Sequence, residues 1–179
     1  QLLSAYNLRS YPIQKEFKSI DMPKIPDGKG KTLVVIGGGN AAVDVARVAK
    51  IQGGYDNVII AYRRKELPAD SWEVQEAAKE GIKIQTLLAP EEVLGENGVV
   101  TGIKLEEQKI VGIDPKSDKP KIRGTGKYET INADHVVFAL GSKPDAEVMK
   151  ELGFKTNKTG NIQIDARTGK AVGTKNIYS

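Results

Sequence analysis

The spacing of apolar and polar positions changes several times along the chain, and each change marks an element. Thr32-Leu33-Val34-Val35-Ile36 is a continuous, mostly β-branched apolar run, the pattern of a strand covered on both faces. Three glycines follow, and then Ala42, Val45, Ala46 and Ala49 recur at the spacing of one helical face. Gly53-Gly54 closes that helix, and Val58-Ile59-Ile60-Ala61-Tyr62 predicts a second buried strand. A second helix is expected from Asp70, read as its cap with Glu73 completing a capping box, with Val74, Ala77 and Ala78 facing inward and Gly81 as its stop. Ile82 to Leu88 predicts a third strand. This βαβαβ order is one mononucleotide-binding half of a doubly wound sheet.

From Pro90 the period changes again. Glu92 to Val100 holds Asn97-Gly98 between apolar residues, a strong hairpin signal. Strands around Gly102 to Ile110 and Tyr128 to Asn132 complete an antiparallel meander. Ala133 to Leu140 returns to a buried strand that ends in the turn Gly141-Ser142-Lys143-Pro144, at the strand end where a cofactor belongs. Beyond it come a turn at Lys158-Thr159-Gly160, a short strand at Asn161 to Asp165 and a last apolar approach, Asn176 to Ser179. Gln1 to Lys29 is weakly patterned and broken by Pro12, Pro23 and Pro26, as a short helical start followed by an extended linker would be.

Strand, glycine turn and helix in that order turn Gly37-x-Gly39-x-x-Ala42 into a dinucleotide fingerprint. Gly37 makes the tight turn, Gly39 leaves bare backbone for a pyrophosphate, and Ala42 lets the helix approach the sheet. Open amides at the positive end of the helix dipole then bind phosphate, with Asn40 a candidate N-cap. The end of the second strand decides cofactor choice. An acid there would accept from a ribose 2′-hydroxyl, whereas Arg63-Arg64-Lys65 suits a 2′-phosphate through forked, charge-assisted hydrogen bonds. A plain solvated basic corner is the alternative. Gly30-Lys31-Thr32 imitates a Walker-type loop, but Ile25 stands where a glycine is required and the string precedes a strand instead of following one.

Composition narrows the chemistry. The 179 residues are 39% hydrophobic and 28% charged, and no run reaches the length of a membrane-spanning helix. A cytoplasmic protein without membrane contact is expected. No cysteine is present, so disulfide exchange and cysteine-ligated metal are excluded within the chain, and redox chemistry has to come from a bound cofactor. The net charge of +4 mixes 27 basic with 23 acidic residues, and the densest basic stretch, Lys116 to Lys127, has almost no aromatics to stack bases. That stretch reads as a solvated loop, and no nucleic-acid partner is expected. His135, the only histidine, reads as a satisfied surface residue. Trp72, the only tryptophan, is open to two readings, packing on the sheet or covering an adenine, and packing is the favoured one.

Gly37-Gly38-Gly39-Asn40-x-Ala42-x-Asp44, Tyr62-Arg63-Arg64 with Leu67-Pro68-Ala69, Pro90 to Gly95 and the Ala139-Leu140-Gly141 turn together resemble the NADPH-binding domain of the glutamate synthase small (beta) subunit, within the FAD-dependent pyridine nucleotide oxidoreductases. The resemblance runs over about Lys31 to Ser179. It implies an α/β, Rossmann-like domain, a parallel sheet with helices and an antiparallel β-meander crossover. It also implies that Gly37, Gly38, Gly39, Asn40, Ala41 and Ala42 hold the pyrophosphate, that Arg63 and Arg64 hold the 2′-phosphate, and that Gly141 lies near the nicotinamide. Asp44 matches the motif, in a role divided between function and helix packing. Lys65-Glu66 is shorter than the family's usual segment, which implies an adenosine pocket of different shape.

The same resemblance implies residues 1–30 as a connection, 31–154 as the nucleotide domain and 155–179 as a return segment towards a flavin domain outside this sequence. The chain then looks like an excised domain, inactive alone. In its parent, a hydride would pass from NADPH to FAD and onward to an iron–sulfur centre or partner subunit. Two alternatives stand beside this: a stand-alone NADP-binding sensory or regulatory module, and an NAD(H)-selective domain of disulfide-reductase type.

Overall fold

The computed structural model describes residues 26–115, 118–141 and 145–178. The expected helical start and prolines of the first 25 residues, the tip at Lys116-Ser117, the Ser142-Lys143-Pro144 end of the glycine turn and Ser179 lie outside the described residues. The contacts divide the chain into two compact units, one up to Leu140 and one from Gly141 onward.

The first unit is built on β1 (Thr32–Ile36), β2 (Asn57–Tyr62), β3 (Lys83–Thr86) and β7 (His135–Phe138), which form a parallel sheet in the order β3-β2-β1-β7. Helix α1 (Asn40–Ile51) connects β1 to β2, and α2 (Ser71–Lys79) connects β2 to β3. An antiparallel sheet of β4 (Leu88–Glu96), β5 (Val99–Asp114) and β6 (Lys119–Asn132) is inserted before β7. This is the Rossmann-like α/β arrangement with a meander crossover that the sequence pattern implies.

Alternation along β1 and β2 explains why both are continuously apolar. Leu33, Val35, Val58 and Ile60 face α1 and α2, where they pack with Ala42, Val43, Val45, Ala46, Ala49 and Ala77. Val34, Ile36, Ile59 and Ala61 face the other way, onto Leu88, Ile103, Leu105 and Ala133 of the meander and its exit. A strand with helices on one side and a second sheet on the other has no polar face. Each buried aliphatic side chain contributes on the order of 1.5–3 kcal/mol, and these two strands place residues in both core clusters.

Several local expectations are corrected. The third strand is shorter than expected, because Leu87 takes φ 61° and turns the chain from the parallel sheet into the antiparallel one. Its carbonyl accepts from the Gln108 amide at 2.7 Å, which fixes the turn to β5. From Lys119 the expected basic loop is strand β6, paired with β5 through Asp114↔Lys119, Ile110↔Ile122 and Lys109↔Arg123. Both faces of this outer arm carry exposed residues, so it has no hydrophobic alternation to announce it. Strand β7 is an edge strand, only half buried, with Phe138 exposed. On α2, Ala77 is buried and Val74 packs against the core, but Ala78 points outward.

The expected capping box on α2 does not form: Asp70 is the N-cap residue but makes no side-chain cap bond, and the buried Oε2 of Glu73 has no hydrogen-bond partner. Asp70 spends its carboxylate elsewhere, on Asn40. Across the opposite faces of the helices, Arg47 of α1 donates to both oxygens of Glu80 at 2.5–3.0 Å. That bond holds the Glu80 carboxyl below its ordinary range and pushes the Arg47 guanidinium up.

The second unit holds α3 (Ala146–Glu151), capped by Asp145, whose Oδ1 accepts from the amides of Glu147 and Val148. In place of the expected strand at Asn161 to Asp165, isolated bridges Thr156↔Ile162 and Ile164↔Ala171 pair short stretches.

Candidate functional site

The glycine turn sits at the carboxyl ends of β1 and β2, and its three glycines differ in what surrounds them. Gly37 is buried at φ 148°, and a Cβ there would strike the Ala139 carbonyl. Its amide donates to the Ala61 carbonyl at 3.1 Å. A Cβ on Gly38 would enter the ring of Tyr62, the last residue of β2, within 2.7–2.9 Å. Gly39 has the ordinary φ of −82°, and nothing lies within 4 Å of where its Cβ would be. Two glycines are therefore required by the packing of the turn itself, whereas the third leaves its space open.

Gly39, not Asn40, is the N-cap residue of α1, and no side chain caps the helix. Asn40 begins the helix, and its side chain turns towards α2. Its Nδ2 donates to the Asp70 carboxylate at 3.0 Å, and its Oδ1 accepts from the Asp70 amide at 3.0 Å. The Ala69 amide donates to the Gly38 carbonyl at 3.0 Å. The turn is thus clasped to the segment that follows the arginine pair, and the amides at the mouth of the helix are left to the space in front of Gly39. Ala41 is exposed on the first turn and Ala42 is fully buried against the sheet, as close helix packing needs. Asp44 is exposed, which removes it from helix packing.

Arg63 and Arg64 leave β2 in different directions. Arg63 is exposed and makes no hydrogen bond or ion pair among the described residues. Arg64 is half buried, and its Nη1 donates to the Pro120 carbonyl on β6 at 3.2 Å. There it lines an open cleft of about 320 Å³ with Val111, Asp114, Lys119, Lys121, Ile122 and Arg123. Lys119, Lys121 and Arg123 have the two-residue period of one strand face, a signal visible in the sequence once the stretch is read as a strand. Trp72 is 60% exposed on the first turn of α2, so it does not pack on the sheet. Gly141 takes φ 82° at the start of the second unit.

At the opposite, amino ends of the strands, Tyr55 Oη and His135 Nδ1 stand 3.0 Å apart, ring edge to ring face. Burial pushes the His135 imidazole below its ordinary value; Lys31 adds to the effect and Asp134 opposes it. His135 is therefore satisfied, and remote from the glycine turn. Among the described residues, no group of three or more His, Asp or Glu side chains could hold a metal ion. No described helix is long and apolar enough to cross a membrane.

This site chemistry can be set beside known proteins. The family model described as pyridine nucleotide-disulphide oxidoreductase matches residues 4–179. The beta subunit of an NADPH-Fe(3+) oxidoreductase from Geobacter sulfurreducens is 34% identical over 140 residues, which is 76% of this chain and 21% of that protein. The glutamate synthase [NADPH] small chain of Azospirillum brasilense is 34% identical over 143 residues, 78% of this chain and 29% of that protein. Among solved structures, the thioredoxin reductase of T. acidophilum superposes with a TM-score of 0.63 at 27% identity, covering 81% of this chain and 42% of that one. The chain thus spans less than half the length of each.

Proposed function

Because the chain belongs to the pyridine nucleotide-disulphide oxidoreductase family, we propose that it is the NADPH-binding domain of a flavin-dependent oxidoreductase of the glutamate synthase small-subunit type. The observation that carries this reading is the glycine turn: a helix start with no side-chain cap, beside a glycine whose Cβ space is empty. Uncapped amides at a helix amino terminus fit a pyrophosphate, and the missing Cβ fits its close approach.

In this reading Gly37 and Gly38 shape the turn and Gly39, Asn40 and Ala41 present backbone to the pyrophosphate, whereas Ala42, whose amide donates to the Gly39 carbonyl at 2.8 Å, serves by packing the helix on the sheet. Arg63 and Arg64 hold the 2′-phosphate. Arg64 spends one N–H on the Pro120 carbonyl, and a guanidinium carries five, so donors remain for an anion. A dinucleotide held there would supply a hydride, with FAD of a parent protein as the acceptor this reading calls for. The described residues bind and orient; none is a catalytic acid or base. Onward transfer to an iron–sulfur centre or partner subunit, a cytoplasmic setting and Gly141 beside the nicotinamide belong to the same proposal. The beta and small subunits among its relatives support a partner subunit.

Calorimetric titration with NADPH and NADH, on the chain and on its Arg63→Ala, Arg64→Ala double variant, tests the reading. Tighter NADPH binding, reduced in the variant about tenfold to a hundredfold while NADH is unchanged, supports it. Equal affinity for the two nucleotides, unaltered by the substitutions, replaces it with an NAD(H)-type corner. A flavin spectrum from the full-length parent separates the oxidoreductase from a stand-alone regulatory module.

A further inference from the structure

The cleft at Arg64 carries an excess of positive charge. Arg64, Lys119, Lys121 and Arg123 bring four cationic side chains to its walls, against one carboxylate, Asp114. That excess of cations over carboxylate on the cleft walls favours an anion. The β5–β6 arm supplies three of the four, and the fourth comes from the end of β2, tied to the arm by its bond to Pro120. A volume of about 320 Å³ is at the lower end of small-molecule sites, enough for a phosphate group and its ester but small for a whole dinucleotide. The cleft also has a fixed relation to the glycine turn. Tyr62 lies against Gly38, and Arg64 follows two residues later on the same chain segment.

We propose that this cleft is a phosphate-monoester subsite in which Lys121 and Arg123 of β6, with Arg64, take the 2′-phosphate of the dinucleotide held at the glycine turn. The assignment rests on the function proposed above and adds the β5–β6 arm to it: cofactor preference is then set by residues more than fifty positions beyond the arginine pair. Guanidinium and ammonium groups on two separate elements surround a dianion from two sides, adding the donors of the arm to those of the arginine pair. Ionic strength is a corollary, because the groups are exposed on the arm and their attraction is screened by salt.

The test compares the chain with a Lys121→Gln, Arg123→Gln variant, both substitutions lying on an exposed strand face, with circular dichroism to verify the fold. Titrants are NADPH, NADH, adenosine 2′-monophosphate and inorganic phosphate. The expected result is that NADPH and adenosine 2′-monophosphate bind about tenfold more weakly to the variant, with NADH unchanged. If inorganic phosphate alone shows that dependence and NADPH does not compete with it, the anion is a free phosphate and the 2′-phosphate assignment is overturned. If no anion distinguishes the two proteins, the subsite itself is overturned. If neither dinucleotide binds the unaltered chain while adenosine 2′-monophosphate still depends on Lys121 and Arg123, the nucleotide-domain reading fails and the monoester cleft stands.

Discussion

Asn40 and Asp70, 30 residues apart, grip each other twice, side chain to carboxylate and side chain to backbone, each bond 3.0 Å long. The pair ties the first residue of α1 to the cap of α2, and so fixes the glycine turn against the segment that carries the arginines. Asn40→Ala removes both bonds at an exposed position and should cost about 1 kcal/mol. A double-mutant cycle with Asp70→Ala should show coupling of about 0.5 kcal/mol or more. Because the clasp positions backbone and not charge, NADPH and NADH should weaken together, as titration of both would reveal.

The three glycines should separate in their effects. Gly39→Ala enters open space at an ordinary backbone angle and loses only the N-cap preference for Gly, so its unfolding free energy should stay within about 1 kcal/mol of the parent while dinucleotide binding is lost. Gly37→Ala meets the Ala139 carbonyl at φ 148° and should destabilise the fold by about 2 kcal/mol or more. A Gly39 variant that unfolds, or a Gly37 variant of parental stability, would contradict this division.

Arg63 makes no hydrogen bond or ion pair among the described residues, so Arg63→Ala should leave thermal stability unchanged and act on ligand alone. Arg64→Ala removes a bond to Pro120 as well, and should loosen the β5–β6 arm. Hydrogen exchange at Ile122 and Arg123 would register that loosening, with no change at β1.

His135 gives stability a pH dependence of known sign. Its folded value lies below its ordinary 6.5, so between the two the unfolded chain binds more protons. The contribution is therefore complete above pH 6.5 and is lost as pH falls from there towards the lowered folded value. Glu80, lowered from 4.5, adds stability that is lost only at more acid pH. Urea midpoints measured between pH 7.5 and 5.5 should fall on acidification, and His135→Gln should flatten the dependence across that window.

The parallel core was readable because burial on both faces leaves β1 and β2 no polar position, and because glycines bracket α1. The alternating assignment of their side chains to helices or meander was not readable, since every residue in the run is apolar. Asn40 was legible as a polar residue at a helix start but not as a clasp, because its partner Asp70 is set by the packing of two helices. The outer arm of β5 and β6 gave no period, as neither face is covered, and so three cations at two-residue spacing passed for a loop. Arg64 illustrates the same limit: its type and position follow from the sequence, its direction from a strand more than fifty residues later.

The insertion of the meander before β7 has a consequence in time. Thr32 and Asp134, joined by a 2.8 Å bond, are 102 residues apart, and the Ala139 carbonyl that walls Gly37 comes later still. At a synthesis rate of roughly 5–20 residues per second, β1 waits on the order of 5–20 s on a growing chain before its second neighbour exists. Through that interval it has an open apolar edge, the kind that recruits other strands. The glycine turn is thus among the last parts of its unit to be finished, and the dinucleotide binding proposed for it would report a completed chain segment, not merely a started one.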